Sequence, residues 1–338
     1  MTAPSYADSP GVWRGRELFA DPDWSSAFSA SELDELERCA RATGDLPFET
    51  LGADALPLPG VGPRLTAVQQ SLEHGPGAVL LRALPVGRWG EAVTTRVFWA
   101  VASHLGVPLS QSAAGERLFH VRDHGYAPDD ARFRGPASSK RLSFHTDRCD
   151  VIAFACLRPA ETGGENFIIS SVALYEELRA HHPEALTLLR EPFPYLRHTV
   201  DTGNTRPFCR LPVFSAQDGH FAAHFLRVLI DRADRAPDAP TLTGPQRAAL
   251  DLLETVAEDP ALHVQCRLEP GDILLLNNWT TFHRRSAFTD APGPADRRHL
   301  LRIWLSVPNS RPIAPCFRDH FGATGAGAVR GGMRPAGA

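Results

Sequence analysis

Lysine is nearly missing from this chain: Lys140 is the only one among 35 basic residues, and the rest are arginines. GC-rich coding explains that better than function does, but it leaves many planar forks suited to carboxylates. Charge of one sign is also scarce. The formal net charge is −4 over 338 residues and no block of like charge occurs, so neither a nucleic-acid surface nor a polyanion-binding tail is indicated. The partner this leaves is a small molecule, with a homo-oligomer left open. Cys39, Cys149, Cys156, Cys209, Cys266 and Cys316 form no C-x-x-C pair and no disulfide-framework spacing, the pattern of reduced thiols in the cytosol. Met1 to Pro10 lacks the basic and apolar regions of a secretion signal, and no run approaches the ~18 apolar residues of a membrane span. The expectation is a soluble, cytoplasmic protein with no membrane partner.

What is present is ample apolar content, 43% of the chain, enough for a large core. Residues 1–30 read as an irregular arm anchored by Trp13, Phe19 and Trp24. Ser29 and Glu32 form a plausible capping box opening a helix with Leu33, Leu36 and Cys39 at helical spacing. Prolines over 56–63 break the pattern, a second helix runs over Pro63–His74, and Ala78–Leu84 reads as a buried strand entered through Gly75-Pro76-Gly77. Residues 92–105 are helical again, ending at Gly106.

From about residue 118 short strands alternate with turns. They are expected at Leu118–Val121, Val151–Leu157, Asn166–Ser170, Tyr195–Thr199, Phe208–Phe214, His263–Leu268, Ile273–Asn277 and Leu301–Val307, with helical insertions at Val172–His181 and Gly244–Glu258. Regular strand-helix alternation is lacking, and no internal repeat is visible. The pattern predicts a mostly β chain with flanking helices, a sandwich or jelly roll rather than a doubly wound sheet. Phe321 to Ala338 is Gly/Ala-rich without apolar periodicity and reads as a flexible tail.

The chemistry concentrates in Arg141-Leu142-Ser143-Phe144-His145-Thr146-Asp147, which reads as a strand. Residues i and i+2 of a strand share a face, so His145 and Asp147 can present a nitrogen and an oxygen to one point. That is two thirds of a 2-His-1-carboxylate metal site. A rival, His182-Pro183-Glu184, is explained by helix initiation, with Pro183 at the first helical position and Glu184 at the positive end of the dipole. Downstream, Glu269-Pro270-Gly271-Asp272 turns into the apolar strand Ile273–Asn277, and His283 lies just past its end as the candidate second histidine. In Arg297-Arg298-His299-Leu300-Leu301-Arg302, Arg298 and Arg302 share one strand face, an inner position arginines seldom take without partners. His120 and His124 flanking a strand, Gln111, His224, Arg227, Trp279 and Phe282 are better explained by core, surface or packing roles.

Taken together, His145-Thr146-Asp147, Thr162-Gly163-Gly164-Glu165-Asn166, Pro270-Gly271-Asp272, Asn278 with His283, and Arg297 to Arg302 resemble the TauD/TfdA family of Fe(II)- and 2-oxoglutarate-dependent oxygenases over about residues 75–310. The resemblance implies a double-stranded β-helix core within a single oxygenase domain, residues 1–320, followed by the tail. It implies iron held by His145, Asp147 and His283, and Arg298 clamping the distal carboxylate of 2-oxoglutarate. Asn166 stands where the family often has a hydroxyl residue contacting the cosubstrate, and can donate through its amide. Arg302 matches the position that holds a substrate acid group in relatives with anionic or amino-acid-like substrates.

On this reading O2 and 2-oxoglutarate are consumed, succinate and CO2 are released, and a substrate carbon is hydroxylated, desaturated or cyclised. The carboxylate of Asp147 argues against a halogenase, which in related enzymes gives that ligand position to chloride. Two other classes remain at this point: a zinc hydrolase using the same three ligands, and a catalytically silent jelly-roll binding protein.

Overall fold

The strand Ile273–Asn277 is apolar at every position up to its last residue because both of its faces are covered. Ile273 and Leu275 pack into a cluster with the helical residues Val97, Phe98 and Val101, while Leu274 and Leu276 join Ile168 and Val264 on the other side. Each such side chain contributes about 1.5–3 kcal/mol when fully buried, so this strand is a natural centre for the fold. The computed structural model describes residues 3–44, 46–123, 138–197 and 207–334.

A seven-stranded sheet forms around that strand. Its order is Ser25–Ala27, Ala78–Arg82, Ile273–Asn277, Val151–Arg158, His299–Ser306 and Val107–Leu109, with Leu118–Val121 also pairing to His299–Ser306. Only the first pair is parallel. A three-stranded antiparallel sheet, His263–Cys266, Asn166–Ser170 and Thr281–Arg285, faces it. The helices Gly62–His74 and Val86–Leu105 cover the outer face of the large sheet. Ser171–His181 and Gly244–Ala257 cover the outer face of the small one, where Ile169 and Phe282 point. The result is two sheets between two helical layers. Strands and helices are mixed, and "mostly β" describes the interior rather than the whole chain.

Several local expectations hold. Ser29 caps the helix Ala30–Ala42 in a reciprocal capping box with Glu32, and Pro183 opens the short helix Pro183–Leu189 with Glu184 in its first turn. Others need correction. The helix expected from residue 92 begins at Val86 and runs through a kink at Gly90, whose φ of 71° interrupts helical geometry. The stretch 208–214 is two strands, Phe208–Leu211 and Phe214–Gln217, and the second pairs with His220–Ala223 as a hairpin. The strand expected over Tyr195–Thr199 is Phe193–Leu196, and residues 198–199 lie outside the described residues, as does His124. Trp13 and Trp24 are buried anchors, but Phe19 is 40% exposed.

The Gly/Ala-rich C-terminal stretch is held down as far as residue 334. Arg330 is fully buried and pairs with the equally buried Asp150 at 2.6 Å. The Gly332 and Met333 amides donate to the carbonyls of Arg148 and Ser110. Among the described residues, no helix is long and apolar enough to cross a membrane.

Candidate metal and keto-acid site

The segment read as a strand over Arg141–Asp147 is extended but forms no ladder. It meets the strand of His283 at an isolated bridge between His145 and His283, in which each amide donates to the other's carbonyl at 3.0 Å, and at the Leu142 amide, which donates to the Arg285 carbonyl at 2.9 Å. Extended backbone still puts His145 and Asp147 on one side. Thr146 turns the other way, its hydroxyl 3.0 Å from His224 Nδ1. Asn278 fixes the segment further, its Oδ1 accepting from the Asp147 amide at 3.0 Å. His283 sits mid-strand in Thr281–Arg285 rather than past a strand end. Alternation sends Phe282 into the outer core and leaves His283 facing inward.

These elements bring one ligand atom each from His145, Asp147 and His283 within 4.8 Å of one another. The two imidazole rings lie 4.5 Å apart, and His283 Nε2 is 3.6 Å from Asp147 Oδ2. His145 Nδ1 is 2.8 Å from the Ser143 carbonyl. A carbonyl can only accept, so Nδ1 carries the proton and Nε2 keeps its lone pair. Burial, reinforced by His283, lowers the His145 pKa to about 4, which keeps the ring neutral. Burial opposes ionisation of Asp147, but the charge of Arg302 and the two imidazoles outweigh it and hold the carboxyl well below its ordinary range. Asp147 Oδ2 and His283 Nδ1 are buried without hydrogen-bond partners among the described residues. Two imidazoles and a carboxylate with an unmatched oxygen fit a divalent first-row metal.

A second grouping, Glu91, His120 and His299, lies at the other side of the large sheet. Its rings are engaged with one another: His299 turns Nδ1 towards Glu91 at 3.6 Å and Nε2 towards His120 Nδ1 at 2.7 Å, and His120 Nδ1 is also 4.0 Å from Glu91. Arg122 also approaches His120 Nδ1 at 3.4 Å, an unfavourable neighbour for a cation.

The first grouping opens into a cavity of about 460 Å³ lined by Asn166, Arg285, Arg298 and Arg302, among others. Arg298 and Arg302 enter from the same face of His299–Ser306 and its leading residue, as their spacing implies. Arg298 is 3% exposed, its backbone amide donates to Asp290 at 2.7 Å, and its Nη1 has no partner among the described residues. Burial lowers its pKa to about 10, so it stays charged. Gly164, at φ +75°, lets the Gly-Gly turn pass beside it, since a Cβ there would stand 3.3 Å from Arg298 Nε. Arg302 packs against Phe119 and Trp304 with its guanidinium carbon 5.3 and 5.1 Å from the ring centroids. Its Nη1 is 4.0 Å from Asp147 Oδ2.

Two participants escaped the sequence. Gln111 is not a plain core residue: its Oε1 accepts from Arg302 Nε at 2.7 Å, while its amide donates to the Arg117 and Arg302 carbonyls, fixing the guanidinium plane. Arg285 lines the cavity two residues beyond His283, and the i, i+2 rule applied there would have found it. Trp279, by contrast, packs as expected, with its indole N–H donating to Asp150 at 2.8 Å. His224 also lines the cavity, with burial lowering its pKa to about 3. Arg227 is taken up by Asp231, Asp251 and Glu254.

Residues 43–304 match the model of the taurine catabolism dioxygenase TauD, TfdA family. FR-33289 synthase of Streptomyces rubellomurinus is 30% identical over 317 residues, covering 91% of this chain and 93% of the relative. Among solved structures, asparagine oxygenase in complex with Fe(II), 2S,3S-3-hydroxyasparagine and succinate aligns with a TM-score of 0.64 at 19% identity, covering 84% of this chain and 93% of the other. The non-heme iron oxygenase OrfP in complex with Fe and alpha-ketoglutaric acid aligns with a TM-score of 0.62 at 17% identity, over 83% and 93%. These two likenesses concern the fold.

Proposed function

The chain belongs to the TauD/TfdA family of Fe(II)- and 2-oxoglutarate-dependent dioxygenases, and on that footing we propose that it oxidises an unactivated C–H bond of a small anionic or amino-acid-like substrate. The dioxygenase class, with Fe(II), 2-oxoglutarate and O2 as its requirements, comes with the family. The substrate, the division of roles among residues and the choice of hydroxylation over desaturation or cyclisation are our reading.

In this reading His145, Asp147 and His283 hold the iron, and residues 1–320 form one oxygenase domain whose two facing sheets are the walls of a double-stranded β-helix. The observation that carries it is the convergence of those three side chains beside two buried arginines on one strand face. When bound, the metal together with 2-oxoglutarate and O2 supplies the oxidant that removes hydrogen from carbon, with release of succinate and CO2.

The chain's own residues do the rest. Arg298 offers an unmatched N–H to the distal carboxylate of 2-oxoglutarate, where a charge-assisted fork gives both attraction and orientation. Asn166, 7% exposed and on the cavity wall, contributes an amide beside it. Arg302, braced by Gln111 and two aromatic rings, takes the substrate's acid group and so fixes which carbon faces the metal. The relatives favour this choice, since one solved neighbour is an asparagine oxygenase with a hydroxylated amino acid bound.

The test is a succinate-release screen of the iron-loaded protein with amino acids, carboxylic acids and sulfonates. A compound that raises succinate formation and gains an oxygen atom or loses two hydrogens supports the reading; stimulation by uncharged compounds alone overturns the anionic assignment.

A further inference from the structure

We propose that Arg285 is a second positive charge of the 2-oxoglutarate site, acting with Arg298 on the distal carboxylate and not on the metal-binding end of the keto acid. The inference rests on the reading above. Arg285 comes from the small sheet, two residues past His283 on the same inward face, with Asn166 as its cross-strand partner. Arg298 comes from the facing sheet. The two meet at Phe288, with guanidinium carbons 4.7 and 5.0 Å from its ring centroid, and both line the cavity.

Neither forms an ion pair among the described residues. Arg285 is 5% exposed. Its N–H groups donate to the main-chain carbonyls of Ser138, Lys140 and Ser286, which orient the plane without neutralising it. Asp123 and Asp290 are the carboxylates that favour its charge, and neither contacts it directly; Asp290 accepts from the Arg298 backbone amide instead. Adjacent Arg284 shows what this fold does with a purely structural arginine: it points away, pairs with Glu258 at 2.9 Å and covers Phe144 and Phe167. Two buried guanidinium groups with no carboxylate in direct contact are costly, and a bound anion between the sheets lowers that cost. The carbonyls that Arg285 holds belong to residues 138–140, just before His145, so the same side chain borders both the keto-acid pocket and the metal-ligand segment.

The test compares two keto acids of equal length, 2-oxoglutarate and 2-oxovalerate, which has a methyl group in place of the distal carboxylate. Each is titrated anaerobically into the full chain loaded with Fe(II), following the visible absorption of the chelate, and by calorimetry with Mn(II) as metal. Arg285→Gln should weaken 2-oxoglutarate about tenfold or more, as expected for loss of a charged partner, and leave 2-oxovalerate within about twofold. Arg285→Lys, which keeps the charge, should retain most of the preference for 2-oxoglutarate. Equal weakening of both acids, in either variant, would mean that Arg285 only ties down residues 138–140; no weakening of 2-oxoglutarate would overturn the proposal as well. Failure of the parent protein to bind either acid would instead count against the keto-acid reading itself.

Discussion

His145 and His283 are joined through their backbones, each amide donating to the other's carbonyl at 3.0 Å. Two proposed metal ligands from distant parts of the chain are thus brought together by main-chain hydrogen bonds, independently of any metal. The expected consequence is a site whose framework persists without metal. Treatment with a chelator should leave the far-ultraviolet circular dichroism of the protein unchanged, and adding Mn(II) should raise the melting temperature of the parent by mass action but not that of Asp147→Ala. Collapse of the spectrum on chelation would show that the metal builds the site.

Arg302 is the proposed substrate anchor, so its loss should separate substrate binding from cosubstrate binding. Arg302→Met is expected to reduce substrate affinity roughly 100-fold or more, as for truncating one member of a buried charged pair. 2-Oxoglutarate binding should be nearly unchanged. Gln111→Leu should have the same direction and a smaller size, because it frees the guanidinium without removing it. Steady-state kinetics with a substrate from the succinate screen measures both.

Gly164 is predicted to be a sensitive position. Alanine at its φ of +75° costs about 1–2 kcal/mol in backbone conformation, and the new methyl group presses on Arg298 Nε. Gly164→Ala should therefore weaken 2-oxoglutarate several-fold while metal binding alone is retained, as read by calorimetry with Mn(II).

The Arg330–Asp150 pair fastens the C-terminal stretch to the segment that follows Asp147. Asp150 also accepts from Trp279, Ser306 and the Val307 amide. Removing only the cation leaves a buried, under-compensated carboxylate, so Arg330→Met should lower stability by about 3–5 kcal/mol in urea unfolding. The double variant Asp150→Asn, Arg330→Met should recover part of that. A loss below 1 kcal/mol for the single variant would mean that the tail is only loosely attached.

The parts of the site legible in the sequence were those with short-range rules. His145 and Asp147 follow from i, i+2 geometry, Arg298 and Arg302 from a shared strand face, and the Ser29 cap from local pairing. The failures are also physical. Arg141–Asp147 looks like a strand, but against Thr281–Arg285 it makes only the His145–His283 bridge and one further bond, from the Leu142 amide to the Arg285 carbonyl. The hairpin at Phe214–Ala223 has its own local signal: Asp218-Gly219, with φ of 50° and 81°, is the two-residue turn that joins antiparallel strands. The tail lacks apolar periodicity because a buried arginine and main-chain hydrogen bonds, not a hydrophobic stripe, hold it. Gln111 reads as a core or surface residue because the partner that gives it another role, Arg302, is far away in sequence.

The central claim is that His145, Asp147 and His283 hold iron in a form that accepts 2-oxoglutarate. It is tested most directly by adding Fe(II) and then 2-oxoglutarate to the protein under anaerobic conditions and recording the visible spectrum. The account predicts a charge-transfer band in the parent that saturates at one equivalent and is lost in Asp147→Ala. A parent protein that binds iron but gives no such band, or a band that survives in Asp147→Ala, contradicts it.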